Sequence, residues 1–306
     1  MKPAATRPPL AAAALIVGAA LLFALMGVLV KRVSPFYGAG EIVFYRCLVG
    51  IVVIGAWVRW RGGTLRTRVP GMHFWRSASG VAALSLWFYS IGGLPLATAI
   101  TLNYMSSVWM ALFLIGGAVL FGAARVEGLL VAAVLAGFAG VALVLQPTAE
   151  TAQVWHGLAG LLSGVLAALA YLQVGALGRA GEPEERVVFY FSLAGLAFGA
   201  VWMLVQGANG HTPGRLLELL AIGVLAATAQ MMMTRAYAIG HTLVNAALNY
   251  TGIVFGFLFG MLWFGERLSA PVLLGIGLIV AAGLVAVRVR ARATPAAARD
   301  TLAGEP

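Results

Sequence analysis

Charge is what this sequence has least of. Only 10% of its 306 residues are Asp, Glu, Lys or Arg, against roughly a quarter in soluble globular proteins. An ordinary soluble protein is excluded. Cysteine is nearly absent too: Cys47 stands alone inside an apolar run, which leaves neither a disulfide framework nor a Cys-based metal site. Acids are few and peripheral. The ten are Glu41, Glu127, Glu150, Glu182, Glu184, Glu185, Glu218, Glu266, Asp300 and Glu305, and each maps to a helix end, a loop or the tail. With no acid at membrane midplane, the usual proton-coupling residue is missing. Were a chain of this composition to move a solute, uncoupled or exchange transport would fit as well as proton coupling, with Glu41 the remaining coupling candidate. The four histidines are scattered, and no phosphate-cradling loop occurs, so ATP-driven transport and a bound metal or cofactor are not expected.

What the sequence has is apolar length, with 61% hydrophobic residues. Charge-free windows long enough to cross a bilayer predict ten membrane helices, at about 10–30, 41–58, 74–92, 97–121, 127–146, 156–177, 187–206, 216–238, 242–264 and 269–288. The run from Leu10 to Val30 exceeds the apolar core of a cleavable signal peptide and reads as the first span. Residues 1–9 are then an N-terminal segment, and 289–306, basic and then Ala/Pro-rich, a disordered cytoplasmic tail. The formal charge of +10 does not indicate nucleic acid, because the basic residues sit in short gaps rather than on one surface.

The chain repeats itself. Val43-Phe44-Tyr45 with Leu48 and Gly50 reappears as Val188-Phe189-Tyr190 with Leu193 and Gly195, at an offset of 145. Leu102-Asn103-Tyr104 returns as Leu248-Asn249-Tyr250, Phe121-Gly122 as Phe264-Gly265, and Gly140 as Gly283. This divides the chain into repeats at 10–146 and 156–288, each of five helices. An odd number of helices per repeat makes the second insert upside down relative to the first, so the fold class is an all-α integral membrane protein with two inverted five-helix repeats. Fifteen of twenty Lys and Arg residues fall on the side of the N-terminus, which places both termini in the cytoplasm.

The Phe264-Gly265-Glu266-Arg267 turn, the Phe44-Tyr45-Arg46 segment and the five-plus-five repeat together resemble the ten-helix branch of the drug/metabolite transporter superfamily, built from EamA-type repeats. The resemblance covers about residues 10–290, with Ala123 standing where the family usually has a first-half Glu. It implies a secondary transporter, an exporter of small metabolites such as amino acids or related amines by alternating access, in a bacterial inner membrane. The alternative is a multi-pass membrane enzyme acting on lipid-linked substrates, which would need clustered catalytic side chains.

Two spans cannot exclude an arginine. Twelve residues separate Arg46 from Arg59, and sixteen separate Glu218 from Arg235. A cation at membrane depth marks a functional site unless it snorkels to the headgroups. Arg46, with neighbouring Tyr45, is therefore a candidate for binding a carboxylate. Gln230 and Tyr237 share one helix face with Thr234, Asn245 and Asn249 lie one turn apart, and Trp87 adds aromatic surface. The repeated pairs Asn103-Tyr104 and Asn249-Tyr250 occupy equivalent positions well inside their spans, where they either line a cavity or bond between helices. Gly252, Gly256 and Gly260, like Gly160 and Gly164, suit close internal packing more than a dimer face. The expected partners are a small-molecule substrate and membrane lipid, with the chain a monomer or homodimer.

Overall fold

The structure, a computed structural model, describes residues 9–120, 128–145, 151–240, 242–267 and 269–302. The first repeat holds α1 (Pro9–Val33), α2 (Ala39–Trp60), α3 (Pro70–Gly93), α4 (Leu96–Tyr104), α5 (Ser106–Leu120) and α6 (Gly128–Leu145). The second holds α7 (Thr151–Arg179), α8 (Glu184–Gln206), α9 (Pro213–Ile239), α10 (Thr242–Leu248), α11 (Thr251–Phe264) and α12 (Ala270–Leu302). These twelve segments make ten spans. Five helices, α1, α2, α7, α8 and α9, are each long and apolar enough to cross a membrane unaided. Exposed Trp57, Trp60, Phe74 and Trp75 ring the face that carries the N-terminus, while Trp155, Trp202 and Trp263 ring the opposite face. Amphipathic rings of this kind settle at the headgroups.

The fourth and ninth spans, expected as continuous helices, are each broken in the middle. The first breaks at Met105, directly after Asn103-Tyr104, and the second at Asn249-Tyr250. At the first break the cause is close approach. A Cβ on Gly164 of α7 would lie 2.8 Å from the Leu102 carbonyl and 3.1 Å from that of Asn103, so backbone packs directly on backbone. Gly160 likewise faces Ser90 and Leu102, and Gly252 and Gly256 of α11 face Tyr104 and Ile100. Both glycine stripes serve internal packing. The last helix differs from expectation at its end: α12 stays helical to Leu302, past residue 288, in keeping with its run of helix-forming Ala and Arg.

The two repeats interlock about a pseudo-two-fold axis. Helix α3 packs against α7 as α9 packs against α1, while α2 pairs with its own counterpart α8, and α6 with α12. The α2–α8 seam shows the symmetry atom by atom. A Cβ on Gly50 would meet Ser192, and one on Gly195 would meet Cys47; Gly50 and Gly195 are repeat mates, and so are Cys47 and Ser192. Because α2 and α8 run in opposite directions, the axis lies in the membrane plane, as in inverted-repeat transporters.

Candidate functional site

On this axis, between the repeats, lies a cavity of about 60 Å³. That is room for a few waters and far less than the roughly 300 Å³ of a metabolite-sized pocket, so a metabolite does not fit in this conformation. The first repeat lines it with Arg46, Arg76, Trp87, Asn103 and Tyr104, and the second with Tyr171, Phe191, Gln230 and Met233. Arg46 extends from α2, about two turns from the opposite face. Its guanidinium donates to Gln230 Oε1 at 3.3 Å and lies 5.1 Å from the Phe191 ring centroid.

Arg76 comes from the other direction. It sits nearly two turns into α3 from the N-terminal face, and its guanidinium lies 4.6 Å from the same Phe191 ring. The span expected at 74–92 puts Arg76 at its very end, whereas α3 begins at Pro70 and carries Arg76 inside. The signal that places it correctly is Pro70, which takes the first helical turn because its missing N–H is an orphan there in any case. Gly80 makes room for it: a Cβ there would overlap Arg76 Nη1. Arg46 and Arg76 are 4% and 2% exposed, and among the described residues neither makes an ion pair. Each charge costs about 3 kcal/mol at the centre of a span on insertion scales, and the one ring that the two cations share returns about 2 kcal/mol to a desolvated cation. The site is thus positively charged and undersupplied with acceptors.

The other expected site residues are placed elsewhere. Tyr237 stands one layer back, stacked on Tyr171 at 5.6 Å between centroids, with its hydroxyl accepting from Asn249 Nδ2 at 3.1 Å. Asn245 Nδ2 donates to the Ala236 carbonyl at 2.6 Å, and Tyr250 packs over Gly283. Neither residue lines the cavity, and neither does Asn249 or Tyr45. Asn103 does line it, while donating to Ser163 Oγ at 3.0 Å. Arg235 pairs with Glu184 at the N-terminal face, outside the cavity.

Two polar clusters close the bundle, one at each face. At the opposite face Glu41 accepts from Asn209 Nδ2 at 2.7 Å, and His211 bridges the hydroxyls of Tyr45 and Tyr37 at 2.6 and 3.0 Å. At the N-terminal face Glu182 bonds His73 at 3.0 Å and Arg186 at 3.1 Å, while Tyr190 stacks on His73 and donates to the Leu65 carbonyl. Tyr45 and Tyr190 are repeat mates, as are Glu41 and Arg186. A third tie joins the halves at the opposite face: Glu266 accepts from Lys31 at 2.5 Å and from the Leu96 amide at 2.9 Å, capping α4.

Among the described residues no group of three His, Cys, Asp or Glu side chains could hold a metal, and the cavity brings no nucleophile and base together. Sequence comparison points to a transporter. Residues 154–288 match the model of the EamA-like transporter family. The pseudopaline exporter of Pseudomonas aeruginosa is 31% identical over 280 residues, covering 90% of this chain and 95% of that protein. A riboflavin transporter of Rhizobium johnstonii is 30% identical over 229 residues, covering 73% of this chain and 72% of that protein. A solved crystal structure, 21% identical, superposes with a TM-score of 0.68 over 93% of this chain and 99% of its own, which extends the likeness in fold to both repeats. With a multi-pass helical body, a cavity between the repeats and relatives named as transporters of small molecules, the chain is a membrane transporter rather than an enzyme, and it belongs to the EamA-like transporter family.

Proposed function

We propose that this chain is a secondary exporter of small carboxylate-bearing metabolites, working by alternating access in a bacterial inner membrane with both termini cytoplasmic. The observation that carries this reading is Arg46, a buried guanidinium on the repeat axis whose described contacts are neutral. A guanidinium binds a carboxylate through two parallel bonds, a geometry lysine cannot reproduce. Amino acids are the class the family resemblance suggests, and the name of the pseudopaline exporter supports outward transport. Gln230, Trp87, Asn103 and Tyr104 complete the binding surface. Tyr237, Asn249, Tyr250 and Asn245 hold the wall behind it, and Glu41 with Tyr45 forms a gate at the opposite face. Opening one polar cluster while the other stays shut would expose the cavity to one side at a time.

The direct test is efflux from proteoliposomes loaded with a mixed metabolite pool, read by mass spectrometry. Carboxylates should leave through the wild type, and Arg46→Lys should lose transport while inserting normally. Full transport by that variant would overturn the assignment of Arg46. Cysteine labelling at Gln153 and Thr67 should report opposite sides of the membrane, with Thr67 inside; labelling of both from outside would overturn the orientation.

A further inference from the structure

Two buried guanidiniums share one aromatic ring at the centre of this protein. Arg46 reaches Phe191 from the opposite-face half of α2, and Arg76 reaches it from the N-terminal half of α3. Since their guanidinium carbons lie 5.1 and 4.6 Å from one centroid, the two charges are less than about 10 Å apart, within roughly one Debye length even in saline. The acids whose ion pairs are described are committed elsewhere: Glu182 to Arg186, Glu184 to Arg235, Glu218 to Arg32 and Glu266 to Lys31. Glu41 is held by Asn209. No acid lines the cavity. The polar atoms left unbonded around it, Arg46 Nε, Arg76 Nε and Nη1 and Trp87 Nε1, are all donors.

We propose that Arg76 is a second anion-binding residue and that the substrates of this cavity carry two negatively charged groups, one for each guanidinium. This rests on the reading of the cavity as the transport site and narrows its substrate class. A compound with a single carboxylate would satisfy one arginine and leave the other uncompensated in a low-dielectric site. A simple amine would add a third positive charge. A dianion neutralises both cations and supplies the acceptors that the unbonded donors lack.

The charge of the cargo also accounts for the missing coupling acid. A dianion leaving the cytoplasm carries two negative charges outward, so an inside-negative membrane potential drives it, by roughly 50-fold per charge for each 100 mV. Export of such a substrate needs no co-transported proton.

The test is a ruler of unbranched α,ω-dicarboxylates from malonate to suberate, with monocarboxylates of matching length and with putrescine, titrated calorimetrically into the purified full-length protein. One dicarboxylate length should bind at least about tenfold more tightly than its monocarboxylate, and putrescine should not bind. Arg76→Gln should bring the dicarboxylate to within about threefold of the monocarboxylate measured on the same variant, so that the ratio of the two affinities, not either one alone, is the readout. Arg76→Lys, which keeps the charge without the fork, should fall between the two and decides the matter if the Gln variant does not fold. In proteoliposomes, efflux of the preferred dicarboxylate should accelerate when valinomycin and a potassium gradient make the interior negative. Equal binding of mono- and dicarboxylates by the wild type, or an unaltered dicarboxylate affinity in both Arg76 variants, would overturn the inference. If monocarboxylates still bound in an Arg46-dependent way, the transport reading would survive that result. Absence of any carboxylate binding would take both down.

Discussion

The two halves of this chain share one backbone plan and differ where charge is needed. Gly80 in α3 corresponds to Gly223 in α9, Trp87 to Gln230, and Pro70 to Pro213, all at an offset of 143. On that register Arg76 corresponds to Leu219, and on the α2–α8 register Arg46 corresponds to Phe191. Leu219 is fully buried, and Phe191 is the ring on which both arginines lie. The first repeat therefore supplies the cations and the second the apolar platform. On the proposed alternating-access reading, symmetry in the scaffold would serve a motion that must look alike from both sides, whereas the proposed substrate site on the axis would need no symmetry of its own. The gates diverge similarly. The cluster at the N-terminal face contains an arginine ion-paired to a buried carboxylate, while its mate at the opposite face has no arginine among the described residues and joins Glu41 to the Asn209 amides and, at 3.8 Å, to His211.

Removing the carboxylate from each gate should widen that difference. Glu182→Ala strands buried His73 and half-buried Arg186 and should cost about 3 kcal/mol of stability, against about 1 kcal/mol for Glu41→Ala, whose partners Asn209 and His211 both reach solvent. Thermal unfolding in detergent measures both, and equal losses would remove the distinction between the gates. Acid should act on the same site. Burial pushes the Glu182 carboxyl up, but hydrogen bonds from His73 and Arg186, the Arg186 charge and a bond from Thr67 outweigh it and hold the pKa below the usual 4.5. A carboxyl depressed in the folded state contributes its full stability above 4.5 and loses it as pH falls through the folded value. The unfolding temperature should drop below pH 4.5 in the wild type and drop less in Glu182→Gln.

The next effect down concerns the tie made by the turn of the second half. Its turn offers Glu266 to the α4 amide and to Lys31, where the equivalent turn of the first half has Ala123, which lies outside the described residues. Glu266→Ala should cost about 2 kcal/mol, because it leaves a helix N-terminus and an ammonium without their acceptor. A loss as small as that of an exposed surface charge would show that solvent replaces the carboxylate freely.

Much of this was legible from residues alone, and the failures have definite causes. The spans follow from apolar length, and the inverted arrangement follows from an odd number of helices per repeat. Arg46 could be placed because too few residues lie between it and Arg59 to leave it outside a span. Arg76 was harder to see, since it stands eight residues from Arg68 and merges with the loop cations unless Pro70 is taken as the helix start. The helix breaks were hidden because no Pro or Gly stands at either; at the first, the neighbour is Gly164, sixty residues away in sequence from Tyr104. Periodicity cannot report a contact between distant backbones.

The smallest expected effect divides the repeated Asn-Tyr pair, on which sequence treated the two halves as equivalent. Asn103 and Asn249 stand at matching helix breaks and each donates one hydrogen bond to a side chain of the second repeat, to Ser163 and Tyr237 respectively. Only Asn103 lines the cavity. Its amide has further acceptor and donor capacity to turn toward a bound molecule, while that of Asn249 is spent on a tyrosine in the second layer. Asn249→Ala should lower stability by about 1 kcal/mol, the size of an interhelical hydrogen bond in a membrane bundle, and leave substrate affinity alone. Asn103→Ala should weaken affinity several-fold at a similar or smaller loss of stability. Paired measurements of unfolding temperature and of binding, on both variants, distinguish these outcomes. Weakened affinity in both would return the site to two-fold symmetry, and unchanged affinity in both would make the repeated pair a structural device of the broken helices.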